Sequence, residues 1–247
     1  MLKSLMLVPF AALTLSACWL PDGEEAEREN PGAPGTPVAG AETPTQRYQL
    51  SGFTGIELAG ADNVVVTRGD SFSVTASGPQ AVLDVLVLQV RDGKLEVRRQ
   101  RGSSVDGEAT ITVTMPALSD IAIAGSGDVT ADTLTGEAAE VAIAGSGNAA
   151  ITNIAVTKLE LAIAGAGDFS GTGTARSAEV SIAGSGDVAA PELTAETGEV
   201  SIAGSGNVRL KVTQTANIEI IGSGDVEITG GARCTTNEMG SGDVRCS

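Results

Sequence analysis

From Ser119 onward, apolar side chains recur at every second position in short runs. The pairs are Ile121 and Ile123, Val141 and Ile143, Leu161 and Ile163, Val180 and Ile182, Val200 and Ile202, and Ile218 and Ile220. A glycine-rich tetrapeptide follows each pair, and a second alternating pair follows that: Val129 and Ala131, Ala149 and Ile151, Phe169 and Gly171, Val188 and Ala190, Val208 and Leu210, Val226 and Ile228. Period-two alternation rich in Val and Ile predicts strands with one buried face. Each unit therefore reads as strand, glycine turn, strand and a variable return loop.

The tetrapeptides are GSGD at 125, GSGN at 145, GAGD at 165, GSGD at 184, GSGN at 204, and GSGD at 222 and 240, with spacings of 20, 20, 19, 20, 18 and 18. Self-similarity at such a period is the signature of a solenoid. One unit cannot bury its own inward residues, whereas stacked units about 4.8 Å apart pair every backbone group and fill one narrow core. The predicted corner glycines are Gly125 and Gly127, Gly145 and Gly147, Gly165 and Gly167, Gly184 and Gly186, Gly204 and Gly206, Gly222 and Gly224, and Gly240 and Gly242. They supply positive φ or close backbone approach at each bend. The fold class is all-β, a parallel β-helix of about eight rungs.

The eighth rung is a degenerate one upstream, where Ile56, Leu58, Gly60, Asn63, Val64 and Val66 keep the register but Asp62 replaces the second glycine. Between it and the regular array, Phe72–Thr75 alternates like a strand and Val85–Val90 is a near-continuous apolar run. Arg91-Asp92-Gly93-Lys94 is a hairpin signal leading into Leu95 and Val97. The charged loop Gln100–Glu108 precedes a last alternating run, Thr110–Met115. Residues 47–117 are thus expected to form a partly antiparallel N-terminal cap, and 118–247 the repeat array.

The amino terminus reads as a targeting device. Lys3 and the apolar stretch Leu5–Leu15, too short to span a bilayer, precede Leu15-Ser16-Ala17-Cys18. That tetrapeptide resembles a bacterial lipobox, which implies a signal peptide of residues 1–17, cleavage before Cys18, and acylation of Cys18 as a bilayer anchor. Trp19, where Asp is the familiar inner-membrane retention signal, favours the outer membrane by the same resemblance. Residues 18–46, with five prolines and an acidic run from Glu24 to Glu29, read as a disordered tether.

Composition removes several chemistries. The chain has no histidine, hence no Ser-His-Asp constellation and none of the commonest zinc and iron ligands. Without Lys3, 31 acidic residues face 14 basic ones, a net of −17 that disfavours nucleic acid as a partner. Aromatic platforms for sugars or bases are scarce, with Tyr48, Phe53, Phe72 and Phe169 the only candidates beyond Trp19 in the mature chain. The pair Cys234 and Cys246 is expected to form a disulfide at the last rung, pinning an end that lacks a polar capping segment. Arg68-Gly69-Asp70 has the form of an adhesive tripeptide but lies where a turn is expected anyway.

Acidic residues fall into two columns. One contains Asp128, Asn148, Asp168, Asp187, Asn207, Asp225 and Asp243; the other contains Asp120, Glu140, Glu160, Glu179 and Glu199. Both are one step out of phase with the inward residues and face solvent. Stacked carboxylates on the order of 5 Å apart repel by about 0.8 kcal/mol in water and about 3 at an effective dielectric of 20, so something must offset them. The preferred reading is that each Asp or Asn accepts hydrogen bonds from amides of its own turn. The alternative is Ca²⁺ held by Asp128, Asp168, Asp187, Asp225 and Asp243, as in β-rolls; otherwise no cofactor is expected.

The repeated GSGD after an apolar strand, the junction Met115-Pro116-Ala117-Leu118 and the degenerate rung at Ile56 together resemble the head GIN domain family of auto-transporter adhesins, over about residues 47–247. The resemblance implies a β-helical, envelope-associated domain without catalysis. The chain departs from the family name in carrying a lipobox and not a translocating barrel. The resulting expectation is a non-enzymatic lipoprotein, exported and anchored through Cys18, that presents a rigid acidic solenoid to an envelope or extracellular protein or glycan. The alternative is a calcium-binding structural module or a carbohydrate-active β-helix of polysaccharide-lyase type. The latter requires Lys158, Arg176, Arg209, Lys211, Arg233 or Arg245 beside an acidic groove.

Overall fold

A computed structural model describes residues 43–247. Cys18, the expected signal peptide and the expected tether up to residue 42 lie outside the described residues. The first part comprises β1 (Thr45–Tyr48), β2 (Gly55–Gly60), β3 (Asn63–Arg68), β4 (Ser73–Ser77), the single-turn helix α1 (Gln80–Leu83), β5 (Leu86–Arg91), β6 (Lys94–Arg99) and β7 (Thr110–Met115). The array follows as β8 (Asp120–Gly125), β9 (Val129–Ala131), β10 (Leu134–Gly145), β11 (Ala149–Gly165), β12 (Phe169–Gly184), β13 (Val188–Gly204), β14 (Val208–Gly222), β15 (Val226–Thr229), β16 (Arg233–Gly240) and β17 (Val244–Cys246). β1 opens inside the last residues expected of the tether.

Every pairing within the array is parallel, and each corner glycine lies in register with the next, from Gly60 and Gly125 through to Gly222 and Gly240. Eight corners stack in register, and the solenoid makes about six turns, slightly fewer than the eight rungs expected. Units of 18, 19 and 20 residues fit one stack because the difference is absorbed by register shifts away from the corners, at Ile151/Ile154, Ser170/Gly173, Ala190/Thr194 and Ala195/Thr197.

The inward column is buried throughout: Ile121, Val141, Leu161, Val180, Val200 and Ile218 are all 3% exposed or less. Phe169 is the one aromatic in the array's core. Its ring fits because Gly171 follows at the next inward position, where a Cβ would lie 2.8 Å from the Phe169 ring and 2.9 Å from Ile154. Large and small thus alternate along one strand.

The cap is partly antiparallel, through β1 with β4, β4 with β7, and β5 with β6. Its hairpin turns at Asp92 and Gly93, both at positive φ as a tight two-residue turn requires. The spatial order differs from the chain order. β2 lies between β6 and β8, and β3 between β7 and β9, so the later strands β6 and β7 stack outside the degenerate rung. Phe53 and Phe72, with ring centroids 4.9 Å apart, pack beneath this cap.

Candidate functional site

Each corner is built by the carbonyl of the glycine below it. Gly165 O accepts from Ser185 N at 2.8 Å, Gly184 O from Ser205 N at 2.8 Å, and Gly145 O from Ala166 N at 2.8 Å. The first glycine of each corner has φ between +131° and +147°, whereas the second does not have positive φ. The second is required by contact alone: a Cβ on Gly186 would lie 2.1 Å from Gly167 O. Ser126, Ser146, Ser185, Ser205, Ser223 and Ser241 point outward in one column with Ala166 among them.

Beside that column stand the Asp and Asn residues, and their hydrogen bonds run between rungs. The Asp187 carboxylate accepts from Asn207 N at 2.8 Å and from Asn207 Nδ2 at 2.9 Å, while Asp168 accepts from Asp187 N at 2.9 Å. The same pattern links Asn63 to Asp128, Asp128 to Asn148, Asn148 to Asp168, Asn207 to Asp225, and Asp225 to Asp243. The expectation that each side chain caps its own turn is corrected: it caps the amide of the next one. A carboxylate and a carboxamide oxygen serve this equally, which explains the interchange of Asp and Asn. Among the described residues no three of Cys, Asp and Glu gather closely enough to hold a metal ion.

This geometry gives a direct test. Asp187→Asn is expected to change stability by less than about 0.5 kcal/mol, since the acceptor persists, whereas Asp187→Ala loses the acceptor for two donors and costs about 1–2 kcal/mol. Urea denaturation separates the two.

The second acidic column lies on the flat outer face of the strands that lead into the corners. Asp120, Glu140, Glu160, Glu179 and Glu199 are in register from rung to rung. Inside their line toward the corner run Ala122, Ala142, Ala162, Ser181 and Ser201, then Ala124, Ala144, Ala164, Ala183 and Ala203, also in register. Two lysines offset the repulsion. Lys94 Nζ lies 2.7 Å from Asp120, and Lys158 Nζ lies 3.3 Å from Glu160 and 3.1 Å from Glu179.

Hydrogen bonding to Asp120 raises Lys94 above the ordinary lysine range, and bonds to Glu179 and Glu160 do the same for Lys158. A raised lysine favours its charged folded form, so its contribution is complete at neutral pH and is lost only as pH climbs past the ordinary value of about 10.4. Because Lys158 is exposed, salt is the practical probe. Lys158→Gln is expected to lower the thermal midpoint at about 0.01 M ionic strength and to lose most of that difference at about 1 M.

The remaining predicted residues are dispersed. Cys234 and Cys246 are disulfide-bonded and join β16 to β17. Arg68 ends β3, where its amide donates to both Asp132 carboxylate oxygens at 3.0 Å, and Gly69 N donates to Met115 O. Lys158 is committed to the acidic column, and Arg209 lies 3.8 Å from Glu227 in an exposed pair. Sequence reasoning missed the pair Asp62 and Arg99. Asp62 was visible only as a departure from the glycine pattern; it is 1% exposed and accepts from Arg99 Nη2 at 2.7 Å and Nε at 2.9 Å.

Comparison with known proteins is consistent with this architecture. Residues 52–232 match the family model described as "Putative auto-transporter adhesin, head GIN domain". A crystal structure of a "putative adhesin" from Bacteroides fragilis superposes with a TM-score of 0.79 at 24% identity, covering 83% of this chain and 97% of that one. A "putative lipid binding protein" from Parabacteroides distasonis has a TM-score of 0.66 at 22% identity, over 83% and 96%. A "putative adhesin" from Parabacteroides merdae has a TM-score of 0.65 at 18% identity, over 84% and 97%. At these identities the likeness establishes the fold. No curated protein matches the chain.

Proposed function

The chain belongs to the family described as "Putative auto-transporter adhesin, head GIN domain", and on that premise we propose that it is a non-enzymatic interaction module of the bacterial envelope, held to a membrane through acylated Cys18. The observation that carries this reading is the register. A stacked solenoid turns one residue per rung into a straight row, so Asp120, Glu140, Glu160, Glu179 and Glu199 form an acidic edge along a flat strip of Ala and Ser. A rigid surface of repeating chemistry suits recognition of an extended or repetitive partner, an envelope protein or a glycan, better than it suits a single reacting bond. The family name supports exposure at the surface or export as the coarse location, and Trp19 after the lipobox Cys18 favours the outer membrane.

The anchor and the exposed location are tested together. Cys18→Ser is expected to move the protein from the membrane to the soluble fraction, and protease added to intact cells is expected to release the folded part of the unmodified protein. Retention of the Cys18→Ser variant in the membrane would remove the lipid anchor. Release only after permeabilisation would place the solenoid in the periplasm and remove adhesion.

A further inference from the structure

The solenoid's last rung differs from the six above it in what it turns inward. In β14 the inward residues Ile218 and Ile220 are 3% and 1% exposed. Their register partners in β16 are Thr236 and Glu238, and Ala216 and Ile228 are followed by Cys234 and Cys246. β16 pairs with β14 on one side only, so Thr236 and Glu238 are exposed despite their inward register. The expectation that this end lacks a polar cap is therefore corrected: β16 turns Thr236 and Glu238 inward where the strand above it has Ile218 and Ile220, while Val244 of β17 keeps the apolar register of Val226.

An apolar row bordered by unpaired backbone groups is a template on which another chain can add a strand. A carboxylate in that row reverses the balance. A further rung stacked on β16 has to take the Glu238 carboxylate out of water, which is costly unless a cation pairs with it. The same polarity weakens the hold of β16 and β17 on the core, since β16 contributes no fully buried side chain. The disulfide meets that weakness by tying the two strands to each other across the core's end.

We propose that residues 233–246 form a covalently latched polar cap, which covers Ile218, Ile220, Val226 and Ile228 and keeps this end of the solenoid from pairing with a second copy of the chain. Partner recognition then falls to the lateral faces. The cap does not depend on the adhesin reading.

The experiment uses the full-length protein purified in detergent micelles, with sedimentation velocity over a hundredfold range of concentration. The unmodified protein is expected to remain one species, and Thr236→Val with Glu238→Ile is expected to form higher, concentration-dependent species. The control is Thr235→Val with Asn237→Ile, which adds the same apolar surface to the outward side of the same strand and is expected to remain one species. Association of the unmodified protein, of the control to the same degree, or of neither variant would overturn the proposal. Hydrogen exchange tests the latch separately. Reduction of the disulfide is expected to lower protection of β16 amides roughly a hundredfold while β12 and β13 stay protected. Unchanged protection of β16 would overturn the latch.

Discussion

Gly184→Ala is expected to destabilise the fold by about 4 kcal/mol or more, and Gly60→Ala by only about 1–3. The two glycines have nearly the same backbone, φ +138° and +142°. They differ in what lies beneath them. A Cβ on Gly184 would stand 2.1 Å from Gly165 O, the atom that accepts the Ser185 amide, whereas a Cβ on Gly60 meets nothing within 4 Å. The Gly60 variant therefore measures the cost of a side chain at positive φ, and the difference between the variants measures the collision between rungs. Relief of that collision requires two rungs to separate, which breaks the corner hydrogen bond and the pairing on both sides of it. Urea denaturation of the two variants is the measurement. Equal losses would mean that the dihedral alone restrains the corner and that stacked rungs yield easily.

The glycines also mark how far the sequence could be read. Corner positions, inward columns and parallel stacking are local properties repeated seven times, and repetition makes a weak local signal decisive. The direction of the Asp and Asn hydrogen bonds was hidden, because a column shows which residues are neighbours but not whether an oxygen turns to its own amide or to the next. Lys158 was visible as a base within the array, yet its diagonal reach to Glu179 depends on a neighbouring rung. The cap was the least legible part. α1 is a single turn opened by Pro79, too short for any helical period to appear. The hairpin into β6 was legible at Asp92-Gly93, but that β6 and β7 then stack outside β2 and β3 depends on pairings between distant strands that no local pattern records. Asp62 looked like a fault in a repeat because its partner is 37 residues away.

That apparent fault is expected to be one of the most sensitive positions in the protein. Asp62 Oδ1 accepts from Ala109 N at 2.8 Å as well as from Arg99, and Arg99 donates onward to Val105 O at 2.8 Å and Gly107 O at 2.7 Å. One ion pair thus fastens the charged loop Gln100–Glu108 to the first corner, and it holds Arg99 above its ordinary range. A side chain fits at this corner, although Asp62 O packs where a Cβ on Gly127 would be, because the next rung out is closed by Arg99 and its loop instead of another glycine corner. Arg99→Met leaves the Asp62 carboxylate buried without its cation and is expected to cost about 3–5 kcal/mol; Asp62→Gly leaves the half-buried Arg99 and the Ala109 amide without their acceptor and is expected to cost about 2–3 kcal/mol. The double variant Asp62→Gly with Arg99→Met restores a glycine corner, Gly60-Ala61-Gly-Asn63, of the type found at Gly165-Ala166-Gly167-Asp168, and it buries no charge. It is expected to be more stable than Arg99→Met alone, with a coupling of about 1–3 kcal/mol in a double-mutant cycle followed by urea denaturation. Additive losses would show that loop and corner are held independently. A rescued double variant would show instead that the buried charges were retained to place the loop, since the solenoid closes without them.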